Sequence, residues 1–338
     1  MRLKDVFIEF LNSKDIRCIS TNSKKVLRED PIQFIARNFA SGKFEICRGE
    51  GRFSFNLNGE RIDSCEYVAW KCKGISREEI KDKLDKFPYI VVDCSLKHLH
   101  SDKELKSLIK QIEKTLSVVR KYMWDEKLVI TGMETMTSAL HYKSVEDFLR
   151  EKKPEKVILL DPNADEIFHG GKADCYIIGG IVDKTGDKKG TTSLIYKRLV
   201  ENGFDIDRRK ILLRGDLLGV PDRINHITEI VLKTVLDGIE LEKAIYEVQN
   251  RKIARWRLRR EIVKNSQKIY VNGRPFRIIR KSFYDEVVGW LKINKKDFYR
   301  CASEMGVIIV KDDFVRDLPD WLLNTSLKLS LKHYTEKF

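Results

Sequence analysis

Short apolar segments alternate with longer amphipathic ones from Tyr89 onward, and this alternation constrains the fold more than any other feature of the chain. Five segments have the length and the β-branched or aromatic bias of buried strands, at 89–93, 127–131, 156–160, 175–178 and 211–213. Apolar residues at helical spacing lie between them, as in 105–119 and 194–199. Strand–helix repetition predicts an α/β domain with a mainly parallel sheet, which binds ligands at the carboxyl ends of its strands.

Charged residues stand at the ends of four of these predicted strands. They are Asp93, Asp161, Arg214 and Asp183, and the last follows two glycines at 179–180. Paired glycines let a ligand approach the backbone closely because no Cβ stands in the way. An ordinary strand-to-loop turn is the alternative interpretation, and residues that cap helices also lie at the carboxyl ends of parallel strands.

A second informative stretch joins the last predicted strand to a long helix that begins near Asn225. The first turn of that helix holds Asn225, His226 and Thr228, which places backbone N–H groups and small polar side chains at the rim. A routine N-cap is the alternative. Neither GxGxxG after the first strand nor GxxxxGK[ST] occurs, so no dinucleotide or P-loop motif is present. His98 and His100 lack a third candidate ligand, so we expect no metal site.

Positive charge is concentrated at the carboxyl end of the chain. The net charge is +14, and residues 251–338 hold 21 Lys and Arg against 10 Asp and Glu, whereas the first 250 residues hold 44 against 41. The segment 251–260 alone has six basic side chains around Trp256. A basic module beside a nearly neutral body favours a polyanionic partner such as RNA. A solvated helix face or a protein-binding module remains the alternative.

The cysteines and the amino terminus bear on where the protein works. Seven cysteines lie far apart without a CxxC pair, which predicts a reducing compartment and neither a disulfide framework nor a zinc site. The first residues are too charged for a secretory signal. No apolar run approaches the ~20 residues that span a bilayer. We therefore expect a cytoplasmic protein without a membrane partner.

Two smaller modules flank the predicted sheet domain, and we expect domains at 1–85, 86–255 and 256–338. The first combines two amphipathic helices with a hairpin around Asn58–Gly59, in which Arg48 and Arg52 are candidates for RNA contact. Alternation places Phe53 and Phe55 toward a core rather than toward nucleic acid. The last module is a hairpin at 268–279 followed by two helices and a strand at 307–310.

Five motifs in fixed order carry a resemblance to a known family. They are YIVVDCS, VILLDPNA, CYIIGGIVDKTGDKKG, ILLRGDLLG and INHITEIVLKTVLDGIELEKAIYEV. This series resembles the SPOUT methyltransferases, and most of all the archaeal-type branch that methylates N1 of the purine at position nine of tRNA. The resemblance implies a carboxyl-terminal trefoil knot, S-adenosylmethionine as cofactor, tRNA as substrate and a monomeric enzyme without a metal.

The resemblance also implies which residues form the site. Three knot loops and the turn at 225–228 would bind the cofactor through Leu160, Asp161, Pro162, Gly179, Gly180, Ile181, Val182, Leu213, Gly215, Asp216, Leu217, Asn225, His226 and Thr228. The RNA-binding candidates are Arg48, Arg52, Lys184, Lys188, Lys189, Arg255, Arg257, Arg259 and Arg260.

We expect Asp183 to be the general base that removes the N1 proton of guanine, or to stabilise the cation that forms on adenine. Asp93 and Asp187 are candidates for sharing these roles. Relatives often carry Asn-Arg where this chain has the segment 184–187, which leaves the preferred purine open. A non-catalytic RNA-binding protein and a SPOUT enzyme acting on ribosomal RNA or a ribose hydroxyl are the competing interpretations.

Overall fold

A computed structural model describes residues 1–183, 186–188, 190–215, 223–271 and 274–316 of the 338-residue chain. The chain divides into two compact units. One comprises residues 1–212 and 221–240, and the other comprises residues 213–220 and 241–338.

The first unit begins with a five-stranded sheet and two helices. Its elements are α1 (Leu3–Ser13), β1 (Cys18–Thr21), α2 (Pro31–Ala40), β2 (Glu45–Arg48), β3 (Phe53–Asn56), β4 (Arg61–Ile62), β5 (Tyr67–Trp70) and α3 (Lys81–Asp85). The strand order is β2-β5-β1-β3-β4, and only the β1–β5 pair is parallel. Phe7 and Phe10 of α1 pack on Phe39 of α2 with ring centroids 5.3 and 5.8 Å apart. Phe53 and Phe55 are buried, which confirms their predicted core position.

Two disulfides cross-link this small sheet, so the expectation of no disulfide framework is wrong. Cys18 pairs with Cys65, and Cys47 pairs with Cys72. The expectation rested on wide spacing along the chain, but strand pairing brings residues that are 47 and 25 positions apart to Cα distances of 5.9 and 6.6 Å. The free cysteines of the described residues, Cys94, Cys175 and Cys301, are all buried.

The rest of the first unit is built on a seven-stranded parallel sheet. Its elements are β6 (Tyr89–Asp93), α4 (Asp102–Val119), β7 (Leu128–Thr131), β8 (Leu140–Tyr142), α5 (Val145–Lys152), β9 (Val157–Leu160), β10 (Glu166–Ile167), β11 (Cys175–Gly179), α6 (Thr191–Glu201), β12 (Asp207–Lys210) and α7 (Ile224–Leu236). The strand order is β10-β12-β9-β11-β6-β7-β8, and every neighbouring pair is parallel. The predicted α/β class and parallel sheet are confirmed.

One predicted strand is misplaced. The sheet uses β12, whose sequence is DRRK, rather than the apolar segment 211–213. Arg208 pairs with Asp161 and Arg209 pairs with Glu166, so ion pairs rather than apolar burial stabilise this strand. The apolar pattern therefore marked the residues just after the strand. Within the described residues, no helix is both long enough and apolar enough to cross a membrane.

The second unit is a basic helical module with a small sheet. Its elements are α8 (Leu241–Val248), α9 (Arg251–Asn265), β13 (Gln267–Val271), β14 (Arg274–Arg280), α10 (Phe283–Val288), α11 (Lys295–Glu304), β15 (Val307–Val310) and α12 (Asp312–Arg316). β14 pairs antiparallel with β13 and parallel with β15. The predicted hairpin strands, helices and last strand are confirmed, while the turn at 272–273 lies outside the described residues.

Lys127 is a buried cation at the amino end of β7. Its Nζ donates to the carbonyl of Phe87 at 2.7 Å and lies 4.0 Å from the ring centre of Tyr89 and 5.1 Å from that of Trp124. Burial, which disfavours the charged form, lowers the pKa of this amine from 10.5 to about 8.

We predict that this buried amine makes stability depend on pH. Between pH 8 and 10.5 the unfolded chain holds the proton and the folded chain does not, so the free energy of unfolding rises with pH. Across this pH window, the free energy of unfolding of the wild type should rise by about 3 kcal/mol more than that of Lys127→Met. Urea unfolding at successive pH values measures it, with Lys110→Met on the exposed side of α4 as the control. Parallel pH curves for the wild type and Lys127→Met would contradict the assignment.

Candidate functional site

The two central strands of the parallel sheet, β6 and β11, end side by side and leave almost no space between them. Gly179 stands opposite Asp93, and the next N–H, from Gly180, donates to the Asp93 carbonyl at 2.7 Å. A Cβ at Gly180 would lie 2.7 Å from the Cys94 sulfur and 2.8 Å from the Asp93 carbonyl oxygen. Only glycine therefore fits where the backbone leaves the sheet.

Asp93 is fully buried and forms the centre of an ion-pair network at the carboxyl ends of these two strands. One carboxylate oxygen accepts from Arg198 at 2.7 Å, and the other accepts from the Ser95 N–H at 2.9 Å and the Thr131 hydroxyl at 3.2 Å. Arg198 also pairs with Glu146 at 2.7 Å. Burial alone would lower the pKa of Arg198, but the two carboxylates outweigh it and raise that pKa. The network fixes α6 on the sheet and encloses Asp93 within the protein.

Asp161 forms a second buried ion pair, at the end of the neighbouring strand β9. It is fully buried, pairs with Arg208 at 2.7 Å and accepts from the Ser193 hydroxyl at 2.9 Å. Its other oxygen accepts from the Asn163 N–H at 2.9 Å, which closes a turn at Pro162. Asp161 thus ties together β9, β12 and the start of α6.

Asp183 follows the glycine pair and is exposed to solvent. Its two carboxylate oxygens accept from the backbone N–H groups of Gly186 at 2.7 Å and Lys188 at 3.1 Å. This is the loop-capping arrangement that competes with a catalytic role. The two roles are compatible, since each carboxylate oxygen has more than one acceptor direction. Asp187 lies in the same loop and is exposed.

Two side chains from the segment before and within α4 anchor this loop. His100 accepts from the Val182 N–H through Nε2 at 2.8 Å, and its Nδ1 lies 3.2 Å from the Lys97 carbonyl. This geometry assigns a neutral imidazole with its proton on Nδ1. Lys188 pairs at 2.9 Å with Glu104, which is buried in the first turn of α4. The sequence offered His100 only as half of an unpartnered HxH pair, so its anchoring role was missed.

The first turn of α7 presents two buried polar atoms that have no partner among the residues that the structure describes. Asn225 is 9% exposed and Thr228 fully buried, and neither the Asn225 Oδ1 nor the Thr228 Oγ1 makes a hydrogen bond with the described residues. Nearby, the N–H of Ile224 is satisfied by the Gln111 side chain at 3.0 Å. Buried polar groups are normally hydrogen-bonded, because an unmade bond costs free energy. These two oxygens lie three residues apart and could hydrogen-bond to a ligand.

The remaining predicted cofactor residues are distributed as follows. Leu160, Gly180 and Val182 are buried, Ile181 and His226 are half-buried, and all five belong to the first unit. Leu213 and Gly215 belong to the second unit. Four predicted site residues lie outside the described residues, namely Lys184, Lys189, Asp216 and Leu217.

The predicted RNA-binding cations differ in their availability. Arg48 and Arg52 are exposed on the first unit, whereas Lys188 is held by Glu104. In the second unit, Arg257 is 4% exposed and donates to the Arg214 carbonyl at 2.5 Å, a burial that does not suit a phosphate contact.

The other cations of α9 stay nearer the surface. Arg259 pairs with Glu304 at 2.5 Å, Arg255 is half-buried, and Arg260 lies 5.2 Å from the ring centre of Trp256. The described part of the chain contains no group of three or more His, Cys, Asp or Glu side chains that could hold a metal ion.

Three family profiles match the chain in succession. Residues 62–252 match the family described as tRNA (guanine(9)-N(1))-methyltransferase TRM10/TRM10A. Residues 4–84 and 255–322 match the N and C domains described for tRNA (guanine(9)-/adenine(9)-N1)-methyltransferase.

Two relatives are similar to this chain in sequence. The tRNA (guanine(9)-/adenine(9)-N1)-methyltransferase of Thermococcus kodakarensis is 34% identical over 331 residues, covering 91% of this chain and 90% of the relative. The tRNA (adenine(9)-N1)-methyltransferase of Sulfolobus acidocaldarius is 30% identical over 198 residues, covering 58% of this chain and 65% of the relative.

Solved structures agree with these matches. The dual-specific Trm10 of Thermococcus kodakaraensis superposes with a TM-score of 0.58 at 27% identity, covering 71% of this chain and 98% of that one. Sulfolobus acidocaldarius Trm10 in complex with S-adenosylhomocysteine shares the fold with a TM-score of 0.64 at 22% identity, covering 90% and 100%. The chain therefore belongs to the TRM10 family of tRNA (guanine(9)-N(1))-methyltransferases.

Proposed function

We propose that this protein transfers a methyl group from S-adenosylmethionine to N1 of the purine at position nine of tRNA. Membership of the TRM10 family supports the reaction. The observation that carries the assignment to this site is the pair of buried oxygens on Asn225 and Thr228, which have no partner among the described residues and lie on a helix that contacts β11.

The residues at this edge fit the cofactor. The Asn225 Oδ1 and the Thr228 Oγ1 offer a ligand two oxygens that have no partner among the described residues, whereas the N–H groups of Gly180 and Val182 are already bonded to Asp93 and His100. We infer that the loop at 160–163 takes part in the pocket and that the chain forms a trefoil knot, as in the family it resembles. When bound, S-adenosylmethionine supplies an electrophilic methyl group on a positively charged sulfur. What the chain must add is alignment of the attacking nitrogen.

Asp183 is our candidate for the proton acceptor. Guanine N1 carries a proton that must leave as its lone pair attacks, and the exposed Asp183 carboxylate stands three residues after Gly180. The backbone N–H groups of Gly186 and Lys188 donate to it and help to fix its orientation. With adenine the lone pair is already free, and the same carboxylate would stabilise the cationic product.

The other two acids take different parts in this proposal. Asp93 has no exposed surface and both of its oxygens are occupied, so we assign it the positioning of α6 and the sheet edge rather than proton transfer. Asp187 is exposed in the loop of Asp183 and remains the candidate for a second, assisting carboxylate.

We infer a division of labour among three segments. Residues 86–255 would carry out catalysis, while 1–85 and the basic 256–338 would hold the tRNA as its target base is extruded. A monomer acting in the cytoplasm, where tRNA is used, fits this division. The two disulfides remain compatible with it, since intracellular proteins of hyperthermophilic archaea also carry disulfides.

We predict that Asp183→Asn abolishes most guanine methylation. The amide cannot accept the N1 proton, so the rate on a transcript with guanine at position nine should fall by about 10²–10⁴-fold. S-adenosylhomocysteine affinity, measured by calorimetry, should stay unchanged. Nucleoside analysis of paired guanine and adenine transcripts reports both reactions, and Asp82→Asn on the exposed face of α3 is the matched control. Equal rates for Asp183→Asn and wild type would remove the assignment.

A second prediction concerns His100 as a positioning residue. His100→Ala leaves the Val182 N–H without its acceptor, so methyl transfer should fall about tenfold, the value of one hydrogen bond. His100→Gln restores an acceptor of similar reach and should recover most of the rate. His98→Gln, on an exposed side chain, is the control. If His100→Gln is as impaired as His100→Ala, or if neither differs from wild type, the anchoring role is wrong.

A third prediction concerns the glycine edge. Gly180→Ala forces β6 and β11 apart, because the new methyl meets the Asp93 backbone, and should cost about 1–3 kcal/mol of unfolding free energy. Cofactor affinity should fall as well. At Gly171 a Cβ would meet nothing within 4 Å, so Gly171→Ala should behave like wild type. Thermal unfolding and calorimetry of both variants test this, and a fully stable, fully binding Gly180→Ala would refute it.

A further inference from the structure

A cavity of 460 Å³ opens in the first unit, away from the loops assigned to the cofactor. It lies between the five-stranded sheet, α2 and the segment that follows α4. Three aromatic rings line it, with Trp70 half-buried and Phe34 and Phe44 buried. Its size suits a small ligand of the dimensions of one nucleotide.

The aromatic wall of this cavity is rigidly held. Trp70 ends β5 opposite Glu45 of β2, and its ring centre lies 5.2 Å from that of Phe44. The Cys47–Cys72 disulfide joins β2 to the chain two residues beyond Trp70. Strand pairing and a covalent bond therefore fix the ring on which a planar group can stack.

The charged groups of the cavity leave an excess of positive charge at its mouth. Glu29 pairs with Arg37 at 2.7 Å, and Asp125 pairs with Arg120 at 2.7 Å, so these four charges balance. Two exposed lysines, Lys25 and Lys43, also line the cavity, and neither makes an ion pair with the described residues. A ligand with a negative charge near the rim would satisfy them.

Arg37 provides a further sign of an incomplete site. Its side chain is 9% exposed, and its Nε is buried without a hydrogen-bond acceptor among the described residues. An unmade bond to a buried guanidinium donor is costly. An acceptor on a bound group would remove that cost.

We propose that this cavity binds one unstacked nucleotide of the tRNA, distinct from the target purine, with its base on Trp70 and its phosphate at Lys25 and Lys43. Aromatic stacking with nearby lysines is how proteins hold single-stranded nucleotides with little sequence preference. The proposal rests on tRNA being the substrate. It gives the amino-terminal sheet a defined role in holding the distorted RNA while the target base is out of its stack.

The test compares three substitutions in the full-length protein. Trp70→Leu keeps an apolar side chain but removes the π face, and should weaken binding of a tRNA transcript about tenfold, whereas Trp70→Phe should retain most of it. Lys43→Gln should lower the salt slope of binding by about one, and Lys110→Gln, which removes the same charge outside the cavity, is the control. Fluorescence anisotropy over a range of salt concentrations measures all of these.

The measurements distinguish a failure of the proposed nucleotide site from a failure of the proposed methyl transfer. Trp70→Leu should raise KM for tRNA, with kcat at saturating RNA and the calorimetric affinity for S-adenosylhomocysteine unchanged. Equal tRNA affinity of wild type and Trp70→Leu, with methyl transfer intact, would overturn the nucleotide site alone. RNA binding that depends on Trp70 without any methyl transfer would overturn the reaction and leave the site.

A free nucleotide is the other possible source of the same chemistry. Adenosine monophosphate and a five-nucleotide RNA serve as probes, each titrated while the tryptophan fluorescence of wild type and Trp70→Phe is followed. We expect the RNA to bind more tightly and tRNA to displace it. Binding of the mononucleotide that tRNA does not displace would overturn the assignment to RNA.

Discussion

The parallel pairing of β6 with β11 is the constraint on which the candidate site depends. Its register sets Gly179 opposite Asp93, and the Gly180 N–H bond to the Asp93 carbonyl brings the two strand ends together. Three features of the candidate site in the first unit depend on this contact. They are the turn to Asp183, the hydrogen bond of His100 and the buried ion pair of Asp93 with Arg198. A shift by one residue would reverse every side chain of the strand.

Buried ion pairs hold the layers around that edge together. Asp93 with Arg198 and Asp161 with Arg208 each place a fully buried carboxylate against an arginine from a later element. Removing one partner of such a pair leaves an uncompensated buried charge, so these contacts make the position of α6 specific. The acids predicted at the ends of the strands thus divide into Asp93 and Asp161, which are buried in ion pairs, and the exposed pair Asp183 and Asp187.

Much of the fold follows from local pattern, and the exceptions have physical causes. Runs of apolar residues mark strands such as β6 and β11, and apolar residues at helical spacing mark α4. In contrast, β12 has no apolar pattern in its sequence, because its side chains form ion pairs. The disulfides were missed because sequence separation does not report distance across a sheet. For the site, glycines and acids indicated the edge, but the contacts of His100 and Arg198 arise from tertiary structure and have no spacing signature.

Our central proposal is that the first turn of α7 lines the cofactor site through two buried oxygens that have no partner among the described residues. Calorimetric titration of S-adenosylhomocysteine into wild type and Thr228→Val tests it directly, because valine keeps the shape of the side chain and removes the buried hydroxyl. We expect clear binding by wild type, about tenfold weaker binding by Thr228→Val, and no loss of stability in the ligand-free variant. Absence of binding heat in wild type, or equal affinities of the two proteins, would contradict it.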